Sequence, residues 1–160
     1  MAKHLVHELT YDAAAADVAA MLADPSFREE VCDYQGVLRH RVSIDADDTG
    51  TAVTIDQVQA ARGIPSFAKN FVGDEIHIVQ EEIWRTPDQG VISMSIPGKP
   101  GEISGTARLT ESRGVTTETV DLTIKVAIPL VGAKIEGLIS DLLLKALRAE
   151  NHVGRDYLLR

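Results

Sequence analysis

VDLTIKVAIPLVGAKIEGLISDLLLKALRAENHVGRDY, residues 120–157, contains two hydrophobic patterns that meet at Pro129. Before the proline, every second residue from Val120 to Ile128 is apolar, and most of the residues between them are polar. This alternation predicts a strand over 115–128 that belongs to an antiparallel sheet with one buried face and one solvated face.

After Pro129, apolar residues recur at helical spacing and form one narrow stripe. Its members are Ile135, Leu138, Ile139, Leu142, Ala146, Ala149, Val153 and Tyr157. We therefore predict a helix from Pro129 to about Tyr157 that lies against an apolar surface. Gly132 lies at the edge of the stripe, where a missing side chain permits close packing on the sheet. Gly137 points away from the stripe and has no evident packing role.

The rest of the chain predicts six more strands and two short helices. The strands span 4–11, 37–44, 51–62, 74–85, 91–96 and 102–111. The first short helix follows Asp12 as its N-cap, and the second begins at Asp24-Pro25 and ends at Gly36. The segment 64–72 is either a lid over a site or a packed connection, with one or two helical turns.

Composition limits the classes of function. The chain has 160 residues, of which 44% are apolar and 25% charged, and we expect one globular domain over residues 1–160. Its net charge of −8 disfavours nucleic acid and anionic membranes as partners. Cys32 is the only cysteine, which excludes an intrachain disulfide and fits the cytoplasm. We expect neither a signal peptide nor an integral membrane segment.

Two segments resemble a known superfamily. They are YDAAAADVAAMLADPSF, residues 11–27, and KVAIPLVGAKIEGLISDLL, residues 125–143. With the order of elements, they are similar to the START-like (SRPBCC) superfamily of polyketide cyclases and lipid-transport proteins, and especially to an uncharacterised actinobacterial branch. The resemblance implies an α+β helix-grip fold, in which a curved antiparallel sheet of about seven strands surrounds a long C-terminal helix and leaves a cavity. Members bind lipids, sterols, polyketides, plant hormones or quinones, some cyclise or hydrolyse them, and some activate a chaperone.

The alternation also indicates which polar residues face the cavity. If the apolar positions of each strand face the long helix, residues of the same parity do so too. The inward positions are then Leu38, His40, Val42 and Ile44; Val53, Ile55, Gln57 and Gln59; Ile76, Ile78, Gln80, Glu82 and Trp84; and Ile92, Met94 and Ile96. Strand 74–85 has a rival inward set of His77, Val79, Glu81 and Ile83. Alternatively, the strands twist and the polar residues face solvent.

We predict a ligand site with a few polar groups among aliphatic ones. Its residues are His40, Gln57, Gln59, Gln80, Glu82, Trp84, Met94, Leu138 and Leu142. The expected partner is a hydrophobic or amphipathic small molecule, such as a lipid, a polyketide-like compound or an isoprenoid. No metal-ligand spacing, cofactor motif or catalytic motif is visible, so we predict binding without catalysis.

Two alternatives stay open. In the first, the protein is a cyclase or hydratase in which His40 or Glu82 acts as acid or base. In the second, it is a protein-interaction module or homodimer that associates through Leu143, Leu144 and Leu147.

Overall fold

The computed structural model describes residues 2–160, so Met1 of the predicted domain lies outside the described residues. The elements in chain order are β1 (Lys3–Tyr11), α1 (Ala15–Leu22), α2 (Pro25–Gln35), β2 (Arg39–Asp47), β3 (Gly50–Ala60), α3 (Ser66–Val72), β4 (Glu75–Thr86), β5 (Gln89–Ser95), β6 (Gly101–Ser112), β7 (Val115–Val126) and α4 (Gly132–Leu158). None of these helices is both long enough and apolar enough to cross a membrane.

The seven strands form one curved antiparallel sheet. Their order is β1-β7-β6-β5-β4-β3-β2, so β2 to β7 follow one another along the sheet and β1 pairs with β7. Helix α4 packs on the concave face against β1 and β7, and α2 packs on α4. This architecture confirms the predicted α+β helix-grip fold.

The buried face of the sheet is the one that the alternation predicts. On β7, Val120, Leu122, Ile124 and Val126 are all buried. They pair with residues of the neighbouring strands that are buried as well, as in the Ile103–Ile124 and Ala107–Val120 pairs. Cross-strand apolar pairs of this kind join the strands and form the surface on which α4 lies.

The connection between β7 and α4 corrects two predicted boundaries. The strand ends at Val126 and the helix begins at Gly132, because Pro129 lacks an N–H and Leu130 has a left-handed backbone with φ 73°. The Glu136 carboxylate accepts a hydrogen bond of 2.9 Å from the Val126 N–H. This bond fixes the first turn of α4 against the end of β7.

Of the three residues predicted to begin or end the short helices, two are confirmed and one is wrong. Asp24 accepts a hydrogen bond from the Ser26 N–H at 2.9 Å, and Gly36 ends α2 with φ 71°, both as predicted. Asp12 is not the cap of α1, which begins at Ala15. There the Ala15 N–H donates to Glu111 of β6 at 2.7 Å, so a distant carboxylate replaces the local cap.

The segment 64–72 is a packed connection. Ile64 and Ala68 are buried in a small cluster with Ile76, against which Leu138 of α4 also packs. The alternative of a free lid therefore does not describe this segment.

The two glycines of α4 provide a matched test of this packing. A Cβ at Gly132 would lie 2.5 Å from the Val126 carbonyl oxygen, whereas a Cβ at Gly137 would meet nothing within 4 Å. We expect Gly137→Ala to raise the free energy of unfolding by about 1 kcal/mol, because alanine favours the helix. We expect Gly132→Ala to lower it. Urea unfolding of both variants measures this difference, and equal effects would contradict the packing of α4 on β7.

Candidate functional site

A cavity of about 120 Å³ lies between the concave face of the sheet and α4, beside α2. Most of its lining is aliphatic and comes from all three sides. The apolar and thiol side chains are Val31, Cys32, Ile55, Ile76, Ile78, Ile92, Met94, Ile96, Ile103, Val120, Leu122, Ile139, Leu142, Leu143, Ala146 and Leu147. The polar side chains are Arg28, Gln35, Gln57, Gln59, Gln80, Glu82, Glu118 and Glu150.

The polar residues divide the cavity into a mouth and an inner end. At the mouth, Gln59 donates to the Gln57 side-chain oxygen at 3.2 Å, and Gln35 ends α2. Four lining residues of the mouth also line a groove on the outside of the protein: Gln35, Gln59, Ile76 and Leu142. The cavity therefore opens at this point.

At the inner end, Arg28 and Glu82 form a buried two-pronged ion pair. The two guanidinium nitrogens donate to the two carboxylate oxygens at 2.8 and 3.1 Å, and each side chain is only 4% exposed. Arg28 Nε donates to the Leu22 carbonyl oxygen at 2.8 Å. The remaining side-chain nitrogens of Arg28 are thereby directed at Glu82, and α2 is tied to β4.

Glu82 stays ionised in spite of its burial. Burial opposes its negative charge, but the Arg28 charge and hydrogen bonds from Trp84, Arg28 and Gln80 outweigh it and lower the pKa of Glu82. The Trp84 Nε1–H donates to the same carboxylate at 2.8 Å. Glu82 is therefore a fixed charge rather than a proton donor.

Two further carboxyl groups share this one cation. Glu118 is 3% exposed, and its Oε1 has no hydrogen-bond partner among residues 2–160. Burial, together with the charges of Glu150 and Glu82, raises the pKa of Glu118 well above its usual range. Burial also raises the pKa of Glu150 to about 7, against the opposing Arg28 charge. The Glu150 Oε1 atom lies 3.9 Å from Arg28 Nη1.

The inner end therefore holds a carboxyl group whose ionisation is disfavoured, Glu118, next to Glu150, whose pKa is about 7. A protonated Glu118 can donate a hydrogen bond to a carbonyl, hydroxyl or ether oxygen in the cavity. Glu150 can accept or release a proton near pH 7. Within residues 2–160, no group of three or more His, Cys, Asp or Glu side chains has the geometry to hold a metal ion.

Most of the predicted site residues line the cavity. They are Gln57, Gln59, Gln80, Glu82, Met94 and Leu142. On β4 the leading inward set lines the cavity except for Trp84, and no member of the rival set lines it. The contribution of each side chain to ligand binding stays a prediction.

Three predicted site residues do not line the cavity. His40 has the expected parity, but α2 covers it, and its Nε2 lies 3.1 Å from Asp33 Oδ1. Trp84 is buried, donates a hydrogen bond to Glu82 and does not line the cavity. Leu138 packs on the α3 cluster instead. Leu38, another position predicted to face inward, precedes β2 and is 48% exposed.

Sequence reasoning missed Arg28, Glu118 and Glu150, although each carries a positional signal. Glu118 lies two residues before Val120, on the inward parity of β7. Glu150 falls within the stripe of α4, and Arg28 lies on the face of α2 that Val31 and Cys32 share. Cys32 is buried, and burial raises the pKa of its thiol to about 11, which makes it a poor nucleophile.

Comparison with known proteins links the chain to uncharacterised relatives. The model of a family described as "Protein of unknown function (DUF2505)" matches residues 6–158. An uncharacterized protein of Mycobacterium tuberculosis (strain H37Rv) is 32% identical over 107 residues, which are 62% of this chain and 61% of that protein. The chain thus matches less than two thirds of the length of this curated relative.

Solved structures share the fold at low sequence identity. TTHA0849 from Thermus thermophilus has a TM-score of 0.69 and 15% identity, over 98% of this chain and 97% of that one. The ZhuI aromatase/cyclase from Streptomyces sp. R1128 has a TM-score of 0.64 and 14% identity, over 98% and 93%. Both are similar to this chain in fold alone.

The raised pKa of Glu150 predicts a stability that falls as the pH rises. Its folded pKa of about 7 exceeds the ordinary value of 4.5, so the protonated form stabilises the native state. This contribution is complete below about pH 4.5 and is lost as the pH rises towards 7, with a slope of up to about 1.4 kcal/mol per pH unit. Glu82, whose pKa is lowered, makes the free energy of unfolding depend on pH only below this pH range.

Urea unfolding between pH 5 and pH 8 measures this slope. We expect Glu150→Gln to reduce it, because the amide does not ionise. Glu102→Gln, on the exposed face of β6, is the matched control and is expected to leave the slope unchanged. An unaltered slope in Glu150→Gln would refute the assignment.

Proposed function

This chain belongs to the DUF2505 family of proteins of unknown function, and on that premise we propose that its cavity binds a hydrophobic or amphipathic small molecule. The observation that carries the proposal is an aliphatic cavity with one unpartnered polar atom, Oε1 of Glu118, at its inner end. A buried polar atom without a partner costs about 1–3 kcal/mol, and a ligand oxygen would remove that cost.

The size of the cavity sets the size of the group that enters it. A volume of about 120 Å³ is close to that of engineered cavities of about 150 Å³ that bind benzene. One aromatic ring or a short aliphatic chain therefore fits between mouth and inner end. Burial of about 150 Å² of apolar ligand surface would contribute roughly 4 kcal/mol. The remainder of a lipid, polyketide-like or isoprenoid molecule would lie outside the mouth.

Polar groups would orient the bound molecule. The carboxyl group of Glu118 would donate a hydrogen bond to a ligand oxygen, while Arg28 and Glu82 are already satisfied by each other. The mouth offers the amides of Gln57 and Gln59 to a second polar group. In this proposal the anchor at the inner end is Glu118, which was not among the predicted site residues.

Filling the cavity tests the binding proposal. We expect saturation-transfer NMR to detect 3-phenylpropanol bound to the wild-type protein. Ile78→Trp is expected to abolish this signal, because the indole would occupy the cavity. Ile83→Trp, on the exposed face of the same strand, is the matched control and should bind normally. Circular dichroism confirms that both variants are folded.

Two outcomes contradict the proposal. One is the absence of a signal with the wild-type protein, and the other is an equal signal in Ile78→Trp. If the probe binds as expected, mass spectrometry of molecules retained by the native protein from a cell lipid extract would identify the natural ligand class.

A second candidate function is acid–base chemistry on the bound molecule. The inner end favours it, because Glu118 is a buried proton donor and Glu150 titrates near pH 7. The original candidates are less suitable, since His40 lies outside the cavity and Glu82 is held ionised by Arg28. A ketone with its oxygen at Glu118 would be activated for loss of an α-proton to Glu150.

Exchange of α-protons tests this candidate directly. We expect 4-phenyl-2-butanone to exchange its α-protons with D₂O faster in the presence of the protein than in buffer, as followed by NMR. Glu118→Gln should remove the acceleration while binding of 3-phenylpropanol persists. If the ketone binds but its α-protons exchange at the buffer rate, the acid–base candidate is wrong and the binding proposal remains.

The homodimer alternative loses part of its basis. Leu143 and Leu147 line the cavity, so their apolar surface is used within the chain. Leu144 is half-buried. Association of two copies stays a prediction, which size-exclusion chromatography at high concentration would test.

A further inference from the structure

A groove of about 750 Å³ lies outside the mouth of the cavity and is continuous with it. We call it the outer groove. It is bounded by the end of α2, the residues after β3 and the middle of α4, and it shares Gln35, Gln59, Ile76 and Leu142 with the cavity. A molecule too large for the cavity would therefore extend into this groove.

The outer groove is positively charged on a negatively charged protein. Its lining, as far as the described residues form it, includes Arg62, Lys145, Arg148 and His152 but no Asp or Glu, whereas the chain as a whole carries a net charge of −8. Lys145, Arg148 and His152 are three, then four residues apart on α4, so they project from one side of the helix. Arg62 follows β3 on the opposite wall.

The three long cations of the groove are not neutralised within the chain. Among residues 2–160, Arg62, Lys145 and Arg148 form no salt bridge and no side-chain hydrogen bond, whereas Arg39 and Arg160 each pair with a glutamate. Their charges are therefore available to an anion.

The walls between these cations are partly apolar. Leu38 is 48% exposed at this site, and Ile64, on the connection to α3, also lines the groove. An exposed leucine beside unpaired cations suits a ligand with an apolar body and one anionic group.

We propose that the ligand is an amphipathic anion. Its carboxylate or phosphate group is bound in the outer groove by Arg62, Lys145 and Arg148, and its apolar end passes the mouth and enters the cavity. The inference rests on the proposed function, since it names the chemical class of the molecule that the cavity takes. Guanidinium groups bind either oxyanion through paired hydrogen bonds, so both head groups fit.

Four probes with the same body and different end groups test the charge of the ligand. They are 3-phenylpropionate, 3-phenylpropyl phosphate, 3-phenylpropanol and 3-phenylpropylamine, each titrated calorimetrically at low salt. We expect at least one anion to bind about tenfold more tightly than the alcohol, and the amine to bind more weakly than the alcohol. Addition of about 0.5 M NaCl, which screens exposed charges, should reduce the difference.

A charge-reversal variant locates the effect. The triple variant Arg62→Glu, Lys145→Glu and Arg148→Glu should lose the preference for the anion while its affinity for the alcohol is retained. The matched control reverses three exposed cations elsewhere: Lys99→Glu, Arg108→Glu and Lys125→Glu. It changes the net charge equally and should keep the preference for the anion.

The outcomes separate this inference from the proposed function. Equal binding of the alcohol and both anions would overturn the inference and leave the cavity proposal standing, whereas no binding of any probe would overturn both. Anion binding that Ile78→Trp leaves unchanged would also overturn the inference, because the apolar end would then lie outside the cavity. The relative affinities of the two anions show whether the groove prefers a carboxylate or a phosphate group.

Discussion

Arg28 donates two hydrogen bonds to Glu82 in a place where neither side chain reaches bulk water, and the inner end of the cavity depends on this pair. The pair joins α2 to β4 and places a positive charge beside Glu150 of α4. Removal of one partner from such a buried pair costs about 3–5 kcal/mol, because the other charge is left uncompensated. The same cation must serve three carboxyl groups, so the site favours a proton on at least one of them. Burial is the main reason why the pKa of Glu118 is raised, the charges of Glu150 and Glu82 add to it, and the Arg28 charge opposes it.

The polar residues of the cavity lie at its two ends. The early part of α2, the late part of β4, the early part of β7 and the late part of α4 supply the charged inner end, and the end of α2 and the late part of β3 supply the amides of the mouth. An aliphatic section separates these two ends. A bound molecule would thus have a hydrogen-bond donor at its inner end and solvent at its outer end. This difference favours one orientation of the molecule in the cavity. The positive outer groove extends this polarity beyond the mouth.

The sequence predicted the sheet, the long helix and one side of the cavity because their signals are local. Alternation on β7 and the stripe on α4 each lie within one element, and parity on β4 correctly placed Gln80 and Glu82. The buried ion pair of the inner end was missed because 54 residues separate Arg28 from Glu82 along the chain. A charged residue considered by itself predicts a solvent-exposed position. His40 shows the complementary limit of such reasoning. Parity gives the face on which a side chain lies, but the element that covers that face comes from elsewhere in the chain.

Trp84 is the only tryptophan of the chain, and its indole N–H is bonded to the carboxylate that Arg28 holds. Indole emission responds to the charge and polarity of its immediate surroundings. A change of protonation or occupancy at the inner end would alter that environment without direct contact between the ring and the ligand. The protein thus contains an intrinsic fluorophore that is hydrogen-bonded to Glu82 of its candidate site, and events at the inner end of the cavity become optically observable without a label.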